Sequence, residues 1–378
     1  MPTLSATVDA VINLNLLLAC AFGFWLLARG VLDLVGHKRA FVLQLLLLNW
    51  LFVTVLIGPV LVGLLGWAVS HGMIDRQSAP NLSDFFVSQY LNGHIGMRPS
   101  DFEWALGLRD ATVRGLVGPA GWLSVAALAV LALGHGVLVG RFVLNALRLR
   151  SMLRASYPWR RFGRLHLYLT DATHVPFSTR DLRHHYIVIP TALLSDKPGL
   201  QMAIAHELQH IRQGDINWEI GLEGLRLMFF WNPVFHIWKR TVDRLRELAC
   251  DQQLLSKGRF DPVAYSDCLL RICRNGLRPG AQTRFRPLIR HSAVGMVQTT
   301  PKMLAADPIR FLRFRITSVL AITAPTRGRA LALTLLAPLV IVIAFGSVAI
   351  QRNTEWSHDR LMLSTIVNLE RLRSSQGY

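Results

Sequence analysis

Residues 198–214 run Pro-Gly-Leu-Gln-Met-Ala-Ile-Ala-His-Glu-Leu-Gln-His-Ile-Arg-Gln-Gly. Ser195 or Asp196 can cap a helix here, Pro198 suits its first turn and Gly214 ends it. His206 and His210 stand four apart, so they share one helix face. Two imidazoles so placed can offer nitrogens to one Zn²⁺ at about 2.0–2.1 Å. Glu207 beside them can take a proton from a zinc-bound water, whose pKa the metal brings toward about 7. The alternative is a surface helix that reads H-E-x-x-H by accident. With this chain's His and Glu content that happens in about one such chain per hundred. Ala203, Ile204 and Ala205, just before the motif, are small and apolar, which suits a metal helix buried on one face.

A catalytic zinc needs a third protein ligand. Arg246-Glu247-Leu248-Ala249-Cys250-Asp251 follows on a second predicted helix, from Asn232-Pro233 to Gly258. Glu247 and Asp251 share a face. Glu247 can ligate zinc, and Asp251 can receive the outer N–H of a ligating His. Spacing alone equally allows both to be salt-bridge partners of Arg244 or Arg246. His236, Arg244 and Arg246 are candidate oxyanion stabilisers, and nothing in the sequence selects among them. His184 and His185 are expected at the surface, and the Ile216–Trp238 stretch either dips into the membrane, covers the site or packs in the core.

Outward from this segment the chain turns apolar. Residues 10–28, 40–74, 115–140 and 330–351 carry no charge. Each is long enough to cross a bilayer core, which needs about 20 residues. Over all 378 residues, 52% are hydrophobic and 17% charged, which excludes a disordered chain; four Cys exclude a disulfide scaffold. Net charge is +18, and its distribution decides its meaning. Segment 143–329 holds 29 Lys+Arg against 13 Asp+Glu, whereas loop 71–118 and tail 352–378 are near neutral. The positive-inside rule then puts 31–39 and 143–329 in the cytoplasm, and loop 71–118 and both termini outside. The basic excess is a topology signal and a surface for anionic lipid. No nucleic-acid partner is expected, since no finger, helix-turn-helix or RNP pattern accompanies it.

His206-Glu207-Leu208-Gln209-His210-Ile211-Arg212-Gln213-Gly214-Asp215, Trp231-Asn232-Pro233 and Arg246-Glu247-Leu248-Ala249-Cys250-Asp251 together resemble the BlaR/MecR-type integral-membrane zinc metallopeptidases. The likeness covers roughly residues 10–350. It implies that His206, His210 and Glu247 bind Zn²⁺, with Glu207 catalytic and Asp251 supporting a ligand. It also suggests that the strand in His184–Pro190, through Ile187, Val188 and Ile189, pairs with the substrate backbone; an internal strand that touches no substrate is the alternative. Relatives cleave themselves between protease domain and last span, which directs attention to 271–329. The β-lactam sensors of that family carry a large penicillin-binding domain after the fourth span. Only 27 residues follow here, without a Ser-x-x-Lys nucleophile, so covalent β-lactam sensing is not expected.

The expected fold is mainly α and polytopic, with a cytoplasmic α+β gluzincin-like zinc protease domain between transmembrane helices 3 and 4. Its expected parts are two transmembrane helices in 1–70, an extracytoplasmic loop 71–118, a third helix 119–142, a protease domain with basic linker 143–329, a fourth helix 330–351 and a tail 352–378. The expected activity is cleavage of the chain itself or of a cytoplasmic, repressor-like regulator, in a bacterial inner membrane. Membrane-protein quality control and a silent zinc-binding receptor or scaffold are the alternatives, and a homodimer is compatible with the sequence.

Overall fold

The computed structural model describes residues 4–73, 82–104, 122–277, 308–321, 329–351 and 362–369. In chain order the helices are α1 (Leu4–Leu34), α2 (Phe41–Ser70), α3 (Leu82–Leu91), α4 (Trp122–Ala155), α5 (Lys197–Gln213), α6 (Asp215–Phe229), α7 (Pro233–Leu255), α8 (Pro262–Leu277), α9 (Pro308–Leu320) and α10 (Arg329–Gln351). The strands are β1 (Tyr157–Phe162), β2 (Leu165–Thr170), β3 (Phe177–Arg180) and β4 (His185–Pro190). The chain forms two compact units. One draws on described residues within 1–28, 47–132 and 331–378, the other on those within 29–46 and 133–330.

The first unit is built from apolar helices. Leu17, Leu18, Ala21 and Trp25 of α1 are buried, as are Leu47, Leu48, Leu51, Phe52 and Val55 of α2. Gly58 shows how closely three helices approach. A Cβ there would run into the Ser347 hydroxyl of α10 and come within 3.4 Å of Leu17. Small residues at such crossings let apolar helices pack by dispersion where lipid supplies no hydrophobic drive. Val87 of α3, Phe102, and Leu363 and Val367 in the helix at 362–369 make a separate apolar cluster, with Tyr90 stacked on Phe102 at 4.2 Å.

Three stretches among the described residues are long and apolar enough to cross a membrane: Ala10–Leu34, Phe41–Ala68 and Ala129–Ala155. The fourth expected span coincides with α10, whose apolar stretch is the shorter Thr334–Ser347. α4 runs without a break past residue 142 to Ala155. Its last turns put Met152, Leu149 and Leu153 onto Phe177 and Val188 of the sheet.

The second unit has a four-stranded sheet ordered β1-β2-β4-β3. β1 runs antiparallel to β2, β2 parallel to β4, and β3 antiparallel to β4. Ile187 and Ile189 face a core shared with Met202 and Ala203 of α5, Leu254 and Leu255 of α7, and Tyr265, Cys268, Leu269 and Ile272 of α8. Val188 points to the opposite face, under α4.

This corrects one expectation. Ile187, Val188 and Ile189 belong to an internal strand, hydrogen-bonded on both sides, and cannot pair with a substrate. A strand covered on both faces reads as a continuous apolar run, and that is what β4 presents. The edge next to α5 and α6 is β3.

Local chemistry sets the helices that matter. Asp196 caps α5 by accepting from the Gly199 N–H at 3.1 Å, and Gly214 ends it in the left-handed region at φ 73°. Asn232 caps α7, accepting from the Val234 and Phe235 N–H groups at 2.8 and 3.4 Å. α7 stops at Leu255, three residues before Gly258, which makes the turn at φ 64°.

Candidate metal centre

Helix α5 presents His206, Glu207 and His210 to α7, which presents Glu247, Cys250 and Asp251; all six are buried. The two rings cross at 84°, and their Nε2 atoms lie 3.1 Å apart. Glu247 closes the group, with Oε2 3.7 Å from His206 Nε2 and Oε1 3.9 Å from His210 Nε2.

The opposite ring atoms explain this orientation. His210 Nδ1 donates to Asp215 Oδ2 at 2.7 Å. Tyr265 donates its hydroxyl proton to Asp251 Oδ1 at 2.7 Å, so its oxygen accepts from His206 Nδ1 at 2.8 Å. Both rings thereby carry their proton on Nδ1 and aim an Nε2 lone pair into the same space. Two lone pairs 3.1 Å apart repel unless a cation or a shared proton lies near them.

The donor set fits a tetrahedral ion. Donors at about 2.0–2.1 Å from Zn²⁺ stand about 3.3 Å from each other. The separations here, 3.1, 3.7 and 3.9 Å, lie around that value.

Cys250 is a competing third donor, since it too can join the two histidines within ligand reach. Its Sγ lies 3.5 Å from His206 Nδ1, the nitrogen already engaged by Tyr265. Burial pushes its thiol well above the usual range, and the carboxylates of Asp251 and Glu247 push it further, which disfavours the ligating thiolate. Glu247 faces both free Nε2 atoms and is the better fit.

The electrostatics divide the carboxylates. Burial opposes the charge of Glu247, yet the Arg315 guanidinium and the two neighbouring imidazoles hold its carboxyl well below the ordinary value. Burial pushes Glu207 up, and His206 and His210 offset that only in part. A carboxylate so raised is the one suited to exchange a proton. For His206, burial disfavours the charged form, but Glu247, Asp251 and Glu207 outweigh it and raise its pKa. A cavity of about 10 Å³, roughly the space of one water, is lined by His206, Glu207, Tyr265 and neighbouring apolar side chains.

The structure thus brings His206, Glu207, His210, Glu247 and Asp251 together. Asp251 Oδ1 lies 3.6 Å from His206 Nδ1, with the Tyr265 hydroxyl between them. The direct carboxylate partner of a histidine is Asp215 instead, placed by the Gly214 turn. Sequence reasoning gave no role to Asp215, Tyr265 or Arg315. Asp215 carried a signal, five residues after His210 across a helix-ending glycine. Tyr265 and Arg315 carried none, one a single aromatic in a helix and the other one basic residue among many.

The three oxyanion candidates have other partners. His236 Nε2 meets the Phe230 carbonyl at 2.7 Å, Arg244 lies over the Phe311 ring at 5.8 Å, and Arg246 pairs with Glu219 at 2.6 Å.

Beside the centre lies a cleft of about 260 Å³. Leu138, Phe142 and Leu149 of α4 form one wall and Asp215, Ile216 and Ile220 of α6 the other, with Thr179 and Arg180 of β3 along it.

Residues 121–291 match the family model described as BlaR1 peptidase M56. A search of curated proteins finds no match. The matched stretch contains the H-E-x-x-H helix, the capped helix with Glu247 and Asp251, and Tyr265. Over that segment the chain is similar to the BlaR1-type M56 peptidases, which are generally metalloproteases.

Proposed function

We propose that the protein is a membrane-embedded zinc endopeptidase that cleaves itself, a cytoplasmic repressor-like regulator, or both. The observation that carries this reading is the convergence of two Nε2 lone pairs and one carboxylate beside Glu207, with both ring tautomers set by outer partners. In the proposed topology α1, α2, α4 and α10 cross the inner membrane, the metal centre faces the cytoplasm, and both termini lie outside.

His206, His210 and Glu247 would hold the ion. Bound there, Zn²⁺ supplies a Lewis acid and lowers the pKa of a water toward about 7. Asp215 and Tyr265 keep the rings oriented with Nε2 free. The Glu207 carboxylate accepts the proton of the water that attacks the peptide carbonyl, then delivers it to the leaving amine nitrogen. Tyr265 and Asp251 hold the His206 Nδ1 proton and take no part in that transfer.

The substrate backbone binds along β3 rather than β4. Among the described residues β3 pairs only with β4, yet Ser178 and Thr179 are 0% and 4% exposed. An added strand would pair with the outer edge that β3 leaves without a strand partner among the described residues. The cleft beside β3 gives that strand room, and its walls favour apolar side chains.

The test compares new protein N-termini in cells expressing wild type or Glu207→Ala. Termini formed only with wild type name the substrate, and those within 271–329 identify self-cleavage. Much of that segment, 278–307 and 322–328, lies outside the described residues. Identical termini in both strains, including under envelope stress, would contradict the proposed function.

A further inference from the structure

We infer that Arg315 is a positioning residue for the metal centre: its guanidinium, carried by α9, fixes Glu247 and Asp251 in the orientation that serves His206, His210 and the ion. This rests on the metal reading above. Arg310 and Arg313 on the same helix are exposed, as expected of a basic linker. Arg315 is 1% exposed.

Its fork spans two carboxylates. Nε and Nη2 donate to Asp251 Oδ2 and Oδ1 at 2.9 and 2.8 Å. Nη1 lies 2.8 Å from Glu247 Oε2. One side chain therefore touches the third donor directly and the first donor through Asp251 and Tyr265. Such a span needs a planar, multidentate cation; a lysine ammonium is a point charge and holds one carboxylate well.

Burying this arginine is costly unless both partners stay in place, so the contact ties α9 to the centre. α9 comes more than fifty residues after Asp251 in the sequence and just before apolar α10. Phe311 lies under Arg244, and Phe314 meets Phe41 at the start of α2, edge-on at 6.2 Å. When α9 is docked, Glu247 has one oxygen held and the other free for the ion. When α9 leaves, two buried carboxylates lose their counter-charge and their alignment. Metal affinity therefore depends on the docking of α9.

The experiment measures zinc affinity of the purified full chain in detergent by competition with a chromophoric chelator, with helix content from circular dichroism as the folding control. Arg315→Met is expected to weaken zinc binding about 10–100-fold, the usual cost of losing a partner behind a metal ligand. Arg315→Lys is expected between the two, since it keeps the charge but not the fork. If Arg315→Met does not fold, Arg315→Lys decides: weaker binding supports the role and unchanged binding overturns it. Zinc binding by Arg315→Met that equals or exceeds wild type would overturn the positioning role, even with lowered thermal stability, because a purely structural contact changes stability alone. A wild-type chain that binds no zinc would instead remove the metal reading itself.

Discussion

Helices α4 and α7 are both long, 34 and 23 residues, and they place their chemistry in opposite ways. α4 leaves apolar side chains uncovered by protein, among them Val130, Leu133, Leu144 and Leu147; Leu133 is 70% exposed. α7 buries Arg246, Glu247 and Asp251 to 5% exposure or less. In water both arrangements would be unfavourable. Exposed apolar surface on this scale fits lipid as the solvent. Buried charge is tolerated where each ion has a partner, as in the Glu219–Lys239–Arg246 group and the Arg315 fork. The first helix is shaped by its surroundings and the second by the site it builds.

The largest effect should come from the charge that has a chemical task. Glu207→Gln is expected to lower turnover about 10²–10⁴-fold, the range for a lost general base, with zinc content unchanged. Retained activity would show that Glu207 is only another paired buried group. Next, a charge on the other helix should be rejected by its solvent. Leu133→Asp is expected to cost about 2.5–3.5 kcal/mol on insertion and to lower the membrane-inserted fraction in a fractionation assay. Normal insertion would break the lipid reading of α4.

Third, Asp215→Asn should weaken zinc binding about 10-fold or more by loosening His210. Equal affinity would mean that Asp215 serves the α6–α7 contact alone. The last effect, that of Glu219, falls on the fold and leaves the chemistry in place. Burial raises its pKa, but Lys239 and Arg246 outweigh this and hold it at about 2, against an ordinary 4.5. A depressed carboxyl contributes stability that is full above the ordinary value and is lost as pH falls from about 4.5 toward 2. Glu219→Gln should therefore destabilise the second unit by about 1.5–3 kcal/mol near neutral pH and flatten its acid limb, read by thermal unfolding at a series of pH values. An unchanged acid limb would remove Glu219 from that account.

Much of this was legible in the sequence because it is written locally. The Asp196 cap, Pro198 and Gly214 delimit α5, and Asn232-Pro233 starts α7, so the spacing of His206, Glu207, His210, Glu247 and Asp251 could be read directly. The apolar runs showed the candidate membrane helices for the same reason. What escaped was set by tertiary pairing. Ile187, Val188 and Ile189 suggested a substrate strand, but a uniformly apolar run signals two covered faces. The actual edge, Phe177-Ser178-Thr179-Arg180, is short and half polar and has little strand signal. Arg315 lay in a segment whose basic composition fits lipid headgroups, and only the fold distinguishes the one buried arginine of α9 from its exposed neighbours. Tyr265 acts across two helices, and no periodicity marks such a contact.

The most direct measurement is the zinc content of purified wild type, Glu207→Gln and the double variant His206→Ala/His210→Ala, taken with the cleavage activity of each. The expected result is about one zinc per chain in the first two, close to none in the third, and cleavage by wild type alone. Zinc retained by the double variant, or cleavage by Glu207→Gln at the wild-type rate, would contradict a metal centre on α5 and α7 with Glu207 as its base.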